Sequence, residues 1–186
     1  IPGEEQFSGK GVSYCAVCDG AFFRNKEVIV IGGGDSAIEE ALYLSNLVSK
    51  VTIIHRRDEL RAQKILRDRA FAKENIHFIW DSIPLEIKGE RKVSSVEIRN
   101  VKTGEESSVS ADGIFIYVGM LPQTEDFKTL GITNEAGYIP TNEKLETKVA
   151  GIFAAGDVRE KEIRQVITAA SDGAIAAQSA YNYVEG

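Results

Sequence analysis

Cysteine is nearly absent. The chain of 186 residues has two, Cys15 and Cys18, too few for the disulfide framework of a small secreted domain. Zinc is excluded on the same ground. No second cysteine pair exists to complete a ligand set, and the two histidines, His55 and His77, lie far from the pair and from each other. No metal site is expected. Long apolar runs are absent as well. None approaches the roughly 20 residues of a membrane helix, so no span is expected. The first residues, Ile1-Pro2-Gly3-Glu4-Glu5, show neither the basic region nor the apolar run of a secretory signal, and a cytoplasmic location is expected. Basic charge is in deficit. Net charge is −6, from 22 Lys and Arg against 28 Asp and Glu, with a pI near 5.1. That excludes general nucleic-acid binding, which needs a basic face. Repeats and low-complexity segments are missing too. What remains is a globular composition, 43% hydrophobic and 27% charged, sufficient to bury a core.

Both cysteines fall in Cys15-Ala16-Val17-Cys18-Asp19-Gly20. A C-x-x-C spacing lets two sulfurs close into a small ring and reopen with little backbone motion. If the pair opens a helical turn, the dipole and free N–H groups there stabilise a thiolate. Asp19 is placed to pass a proton to the departing sulfur. Redox chemistry is the favoured reading; two buried structural cysteines are the alternative.

Glu27 to Ile31 is a β-branched run, read as a buried parallel strand. It leads into Gly32-Gly33-Gly34-Asp35-Ser36-Ala37, which fits G-x-G-x-x-A. Gly32 permits the tight turn, Gly34 lets the backbone approach a pyrophosphate, and Ala37 lets the helix pack close to the strand. The helix expected from about Asp35 to Val48 carries Ile38, Ala41, Leu42 and Ser45 on one face and aims its first N–H groups at phosphate. A second strand follows, Val51 to His55. A fingerprint between a strand and an amphipathic helix is the context such a motif requires. From Gly34 to His55 is 55 − 34 = 21 positions, where an NAD site places an acid on the ribose 2′-hydroxyl. Here the residues are His55-Arg56-Arg57, with Arg61 a turn further on. Paired guanidiniums bind a 2′-phosphate, so NADPH is favoured over NADH; the plain alternative is a solvated basic surface. A dithiol beside a nicotinamide site suggests the transfer of two electrons from a reduced cofactor to a disulfide.

The rest is read as a helix from Glu59 to Lys73 with Ala62, Ile65, Leu66 and Ala70 inward, a strand from Ile76 to Trp80, and a β-meander or hairpin over 82–110. His77 and Trp80 are read as packing residues. A buried strand spans Gly113 to Gly119, and a domain boundary follows it. Gly151 to Asp157 reads as a strand ending in Gly156-Asp157, where a carboxylate could hold a cofactor hydroxyl or cap a turn. A helix rich in Ala and Ser runs from about Ile163 to Val184.

These pieces together resemble the low-molecular-weight thioredoxin reductases. The stretches that carry the resemblance are GVSYCAVCDG (11–20), VIVIGGGDSA (28–37), HRRDELRAQK (55–64), IYVG (116–119), IFAAGD (152–157) and RQV (164–166). They run over nearly the whole chain and are specific in order and spacing. The resemblance implies an enzyme that carries FAD, binds NADPH and reduces thioredoxin. It implies Cys15 and Cys18 as the redox pair, Cys18 nearer the flavin and Cys15 the one that exchanges with thioredoxin, with Asp19 as acid–base residue. It places the NADPH pyrophosphate on Gly32, Gly34 and Ala37 and the 2′-phosphate on Arg56, Arg57 and Arg61. Asp157 would hold the ribityl and phosphate region of FAD, with Arg164 and Gln165 by the flavin ring. Gly33, Asp35, Ser36, His55, Gly119 and Gly156 are further cofactor-binding candidates.

The expected fold is therefore α/β: a Rossmann-like three-layer NADPH-binding domain with a β-meander, plus the C-terminal portion of a second, FAD-binding α/β domain. Residues 1–8 would be a connector, 9–118 the NADPH domain with the C-x-x-C, and 119–186 the later part of the FAD domain. The family's first FAD-binding half has no counterpart in this chain, so weak FAD binding and looser packing of 119–186 are expected. Hinges are expected at 8–10 and 119–122, and a homodimer for the full-length protein. Three other readings stay open: a flavoprotein serving a peroxiredoxin-type partner, a variant taking electrons from ferredoxin, and a non-catalytic nucleotide-binding module.

Overall fold

The structure is a computed structural model and describes residues 1–186. The chain divides into two compact units, Ile1–Gly119 and Met120–Gly186. In the first, a five-stranded sheet has the order β1 (Val12–Ser13), β8 (Gly113–Ile116), β2 (Glu27–Ile31), β3 (Lys50–Ile54) and β4 (Ile76–Ile79), all neighbours parallel. A parallel sheet must be covered on both faces, and strand alternation sorts the side chains between two different covers. On one face Val28, Val30, Val51, Ile53 and Phe115 pack against α2 (Asp35–Leu44) and α3 (Lys64–Phe71) through Ile38, Ala41, Leu44, Leu66 and Ala70. On the other, Ile29, Ile31, Ile54, Ile114 and Ile116 meet Ile87, Val96 and Ile98 of a second sheet. That sheet is antiparallel: β5 (Ser82–Gly89), β6 (Val93–Asn100) and β7 (Glu106–Ser110). The result is the expected three-layer arrangement, with the meander as its third layer.

Several boundaries differ from the sequence reading. The two-residue strand β1 was not foreseen, because so short a segment has no period to detect. Helix α2 ends at Leu44, after which Ser45 to Val48 form turns rather than helix. The helix expected from Glu59 begins only at Lys64. Its supposed first turn is irregular, because the backbone N–H groups of Arg61 and Ala62 donate to Gly33 O at 2.7 and 3.1 Å. Ala62 is buried as expected, but Ile65 is exposed, off the face that buries Leu66 and Ala70.

The second unit contains a 3-10 segment, Glu125–Leu130, and a long helix α4 (Val166–Glu185). Its small core is Ile132, Ile139 and Ala154, backed by Val149, Ile152 and Val158. The strand expected over 151–157 does not form. Phe153 makes only an isolated bridge with Glu146, and Ile139 one with Arg159, since no second strand of this unit runs alongside. Helix α4 starts three residues later than read, at Val166, where Gln165 and Thr168 form a reciprocal cap. The one fully buried residue of α4 is Asp172, while Val166, Ile167, Tyr181 and Val184 are exposed.

Candidate redox and dinucleotide site

Cys15 and Cys18 are joined as a disulfide at one end of a four-residue helical turn, α1 (Ala16–Asp19). Cys15 is its N-cap residue, and its sulfur accepts the Cys18 N–H at 3.1 Å. Cys18 is exposed and Cys15 half-buried, so the pair sits at the surface rather than in an inert interior. Strand β1 delivers this turn. Its last residue, Ser13, is buried and donates its hydroxyl to Asp19 Oδ2 at 2.6 Å, while accepting the Cys15 N–H at 3.1 Å. Asp19 is thus held beside the sulfurs by a residue that sequence reading passed over. Serine two before a C-x-x-C is common enough to give no signal by itself.

A second omitted pair lies beneath the turn. The Ala16 N–H is shared by Tyr117 Oη at 2.9 Å and Glu40 Oε2 at 3.1 Å, and Tyr117 Oη donates to the same carboxylate oxygen at 3.3 Å. Burial holds the Glu40 carboxyl above its ordinary range, opposed by the Ala16 and Tyr117 hydrogen bonds. Burial and the neighbouring Glu40 charge push the Tyr117 phenol far up, so its proton stays in place. A signal existed for Glu40. It stands three residues after Ala37 and four before Leu44, on the inward stripe of α2.

The glycine turn connects β2 to α2. Gly32 has φ +145°, and a Cβ there would meet Tyr117 O and the Ala37 methyl, which is why this position takes glycine. Gly34 is the helix N-cap, and a Cβ on it would touch nothing within 4 Å, leaving open space beside the first N–H groups of α2, which a helix leaves unpaired. Ser36 is exposed there and Ala37 is buried against the strand. The His55–Gln63 segment is tied to this turn. Besides the two bonds to Gly33 O, the Gln63 N–H and Nε2 donate to Asp35 at 2.7 and 3.1 Å. Asp35 therefore works as the anchor of that segment. The His55 ring lies directly under Gly33, where any Cβ would overlap it. His55 is 7% exposed and its Nε2 has no hydrogen-bond partner. Burial, then the charges of Arg56 and Arg57, hold its pKa below the usual 6.5.

Arg56, Arg57 and Arg61 are exposed and make no ion pair, even though Asp58 lies among them. Lys102, from the turn between β6 and β7, draws away both nearby carboxylates, Asp58 at 2.9 Å and Asp81 at 3.0 Å. Three guanidiniums are left beside the glycine turn. The fit to a phosphorylated dinucleotide is good on these grounds: an open N-terminus of α2, glycines where a side chain could not sit, and unpaired positive charge. Two shallow surface hollows, one bordered by Ile1, Glu4 and Tyr14 and the other by Glu39, Tyr43 and Arg69, include neither the glycine turn nor the arginines.

The remaining sequence candidates lie at or after the end of the first unit. Gly119 closes it, with φ +112°. In the second unit Asp157 is exposed and follows Gly156, which has φ +83°. The Gly156 N–H donates to Asp172 at 3.0 Å, and Asp172 also binds Arg159 at 2.8 Å and Lys161 at 2.7 Å. Arg164 lies over the Tyr138 ring, 4.3 Å from its centre, and donates to Asp157 O at 3.4 Å. Gln165 caps α4. Gly156, Asp157, Arg164 and Gln165 thus lie on one short stretch, with Asp172 holding its Gly156 end.

Comparison with known proteins agrees with these features. The chain is 60% identical over 186 residues to a thioredoxin reductase of Bacillus subtilis, covering all of this chain and 59% of that protein. It is 58% identical to a thioredoxin reductase of Listeria innocua, covering 98% of this chain and 58% of the relative. The crystal structure of thioredoxin reductase from Streptococcus pyogenes superposes with a TM-score of 0.94 at 57% identity, over all of this chain and 61% of that one. The chain therefore spans about three fifths of the relatives it matches. A family model described as pyridine nucleotide-disulphide oxidoreductase matches residues 1–173. Disulfide turn, glycine turn and sequence likeness converge: the chain belongs to the pyridine nucleotide-disulphide oxidoreductase family.

Proposed function

We propose that this chain is the NADPH-binding and disulfide-bearing part of a thioredoxin-disulfide reductase, together with a portion of its FAD-binding domain. The observation that carries the reading is the arginine segment tied to Gly33 and Asp35, with three unpaired guanidiniums, in the same unit as an exposed Cys15–Cys18 disulfide. When bound, NADPH supplies a hydride and FAD relays its electron pair. Arg56, Arg57 and Arg61 bind the 2′-phosphate by charge-assisted bonds. Gly32 to Ala37 receive the pyrophosphate against the α2 N-terminus. His55 acts as the neutral wall under the turn. Asp157, Gly156, Arg164 and Gln165 supply this chain's share of the flavin site. The fit there is partial: Asp157 is available, while Arg164 and Gln165 are engaged locally.

Reduction breaks the Cys15–Cys18 bond. Two electrons and one proton give a thiol and a thiolate, and Asp19, held by Ser13, is the group that holds or passes the proton. Cys15 then attacks the partner's disulfide. The Cys15–Cys18 bond reforms as thioredoxin takes the electron pair and the one proton the pair carried, and a second proton from solvent completes its dithiol. We assign 1–8 as a connector, 9–118 as the NADPH domain and 119–186 as FAD-domain chain, with joints at 8–10 and 119–122. The likeness to relatives named thioredoxin reductase supports thioredoxin as the partner; a homodimer for the full-length protein and work in the cytoplasm belong to the same proposal. No helix of the chain is long and apolar enough to cross a membrane.

The test is cofactor choice. NADPH should bind this chain at least tenfold more tightly than NADH, followed by nicotinamide fluorescence, and Arg57→Ala should weaken NADPH roughly tenfold or more while leaving NADH nearly unchanged. Equal affinity for the two cofactors would remove the 2′-phosphate assignment. Thioredoxin reduction by a protein of the relatives' full length, lost on Cys15→Ser or Cys18→Ser, tests the second half.

A further inference from the structure

We propose that Glu40 and Tyr117 are positioning residues of the redox centre, which grip its first peptide and bias the Cys15–Cys18 pair toward the disulfide. This rests on the reading of that pair as the redox centre. The grip is geometric. Ala16 is fully buried, and its N–H, the first of α1, is taken by Tyr117 Oη at 2.9 Å and Glu40 Oε2 at 3.1 Å. Glu40 belongs to α2, the helix opened by the glycine turn; Tyr117 follows β8 and precedes Gly119 by two residues. Three separate elements therefore meet at one amide, in the residue next to Cys15.

One acceptor would satisfy that amide, and Tyr117 Oη alone is close enough to do so. The carboxylate exceeds what hydrogen bonding requires. A half-buried negative charge one peptide from Cys15 disfavours the charged form of an acid placed there. The nascent thiolate is such a form; the disulfide carries no charge to oppose. Glu40 therefore favours the disulfide. Tyr117 holds the carboxylate in place through its own O–H, and Asp19, bound by Ser13, is close enough for its charge to act on Tyr117 but does not share this amide. The anchored Ala16 also fixes the Cys15 end, so that opening of the ring is taken up on the exposed Cys18 side.

The test is thiol–disulfide equilibrium of the full chain against reduced and oxidised glutathione, read by acid quench, alkylation and mass of the peptide that holds both cysteines. Glu40→Gln keeps shape and an acceptor oxygen but removes the charge. It should shift the equilibrium toward the dithiol about tenfold, or about 30 mV for a two-electron couple. Tyr117→Phe should shift it the same way by less, roughly threefold, because the carboxylate stays but is no longer held. NADPH binding, measured in parallel, reports that each variant is folded. Variants that bind NADPH and keep the wild-type equilibrium would overturn the assignment. So would a shift toward the disulfide. A wild-type pair that does not exchange with glutathione at all would instead remove the redox reading beneath it.

Discussion

His55 marks the limit of what position along a chain can tell. Its place in the chain, 21 positions after Gly34, was legible from spacing alone. Its orientation was not. The ring turns inward beneath Gly33 and is nearly sealed from water, whereas Arg56, Arg57 and Arg61 face out. Burial and adjacent guanidiniums keep the imidazole neutral, which has a measurable sign. The folded pKa is below 6.5, so the folded chain binds fewer protons than the unfolded one in the window beneath that value. The stabilisation is complete above pH 6.5 and is lost as pH falls toward the folded pKa. Replacing the imidazole by an uncharged amide removes this dependence. Urea midpoints measured from pH 7.5 to 5 should fall more steeply for the wild type than for His55→Asn; parallel slopes would show that the ring is protonated as readily as in water.

Among elements, the legible ones had a period or a fingerprint. Strands β2 and β3 were marked by β-branched runs, and α2 by its apolar stripe. Helix α3 was misjudged by five residues, because its supposed first turn spends its N–H groups on Gly33 and Asp35, and no local pattern reveals a distant acceptor. Strand β1 was missed for its length, and the 151–157 segment was misread because an apolar run needs a neighbour to become a strand. Asp172 was missed for a related reason. An acid on an Ala- and Ser-rich helix carries no local mark of burial, yet Asp172 is buried and holds Arg159, Lys161 and the Gly156 N–H. Its pKa lies below the usual 3.8: burial pushes it up, and the hydrogen bonds from Lys161 and Arg159 outweigh that. Asp172→Asn leaves two cations with no counter-charge. The loss should be on the order of 2 kcal/mol, below the figure for a deep pair because this small unit keeps water close. Hydrogen exchange should show faster opening across 139–172, with the amides of Ile1–Gly119 unaffected. An unchanged exchange pattern would show that the cluster does not hold the Gly156 turn.

For the whole molecule, the division into Ile1–Gly119 and Met120–Gly186 is the main fact. The linking residues are open to solvent, with Val118 73% and Leu121 84% exposed. Gly119 has φ +112°, yet a Cβ placed on it would touch nothing within 4 Å. A larger residue there acts through backbone strain alone, with no clash to confuse the result. In a protein of the relatives' full length, Gly119→Val should lower kcat several-fold while NADPH affinity stays within about twofold, as expected where a conformational step limits turnover. Equal losses in both would remove the joint from the mechanism.

One detail of strand order links that joint to the sulfurs. Strands β1 and β8 are parallel neighbours, Ser13 opposite Phe115, so they finish along the same hem of the sheet. The first runs on into Cys15, the second into Tyr117 and then Gly119. The disulfide turn and Tyr117 are thus carried off the same edge of the sheet, side by side, by two strands paired along their length.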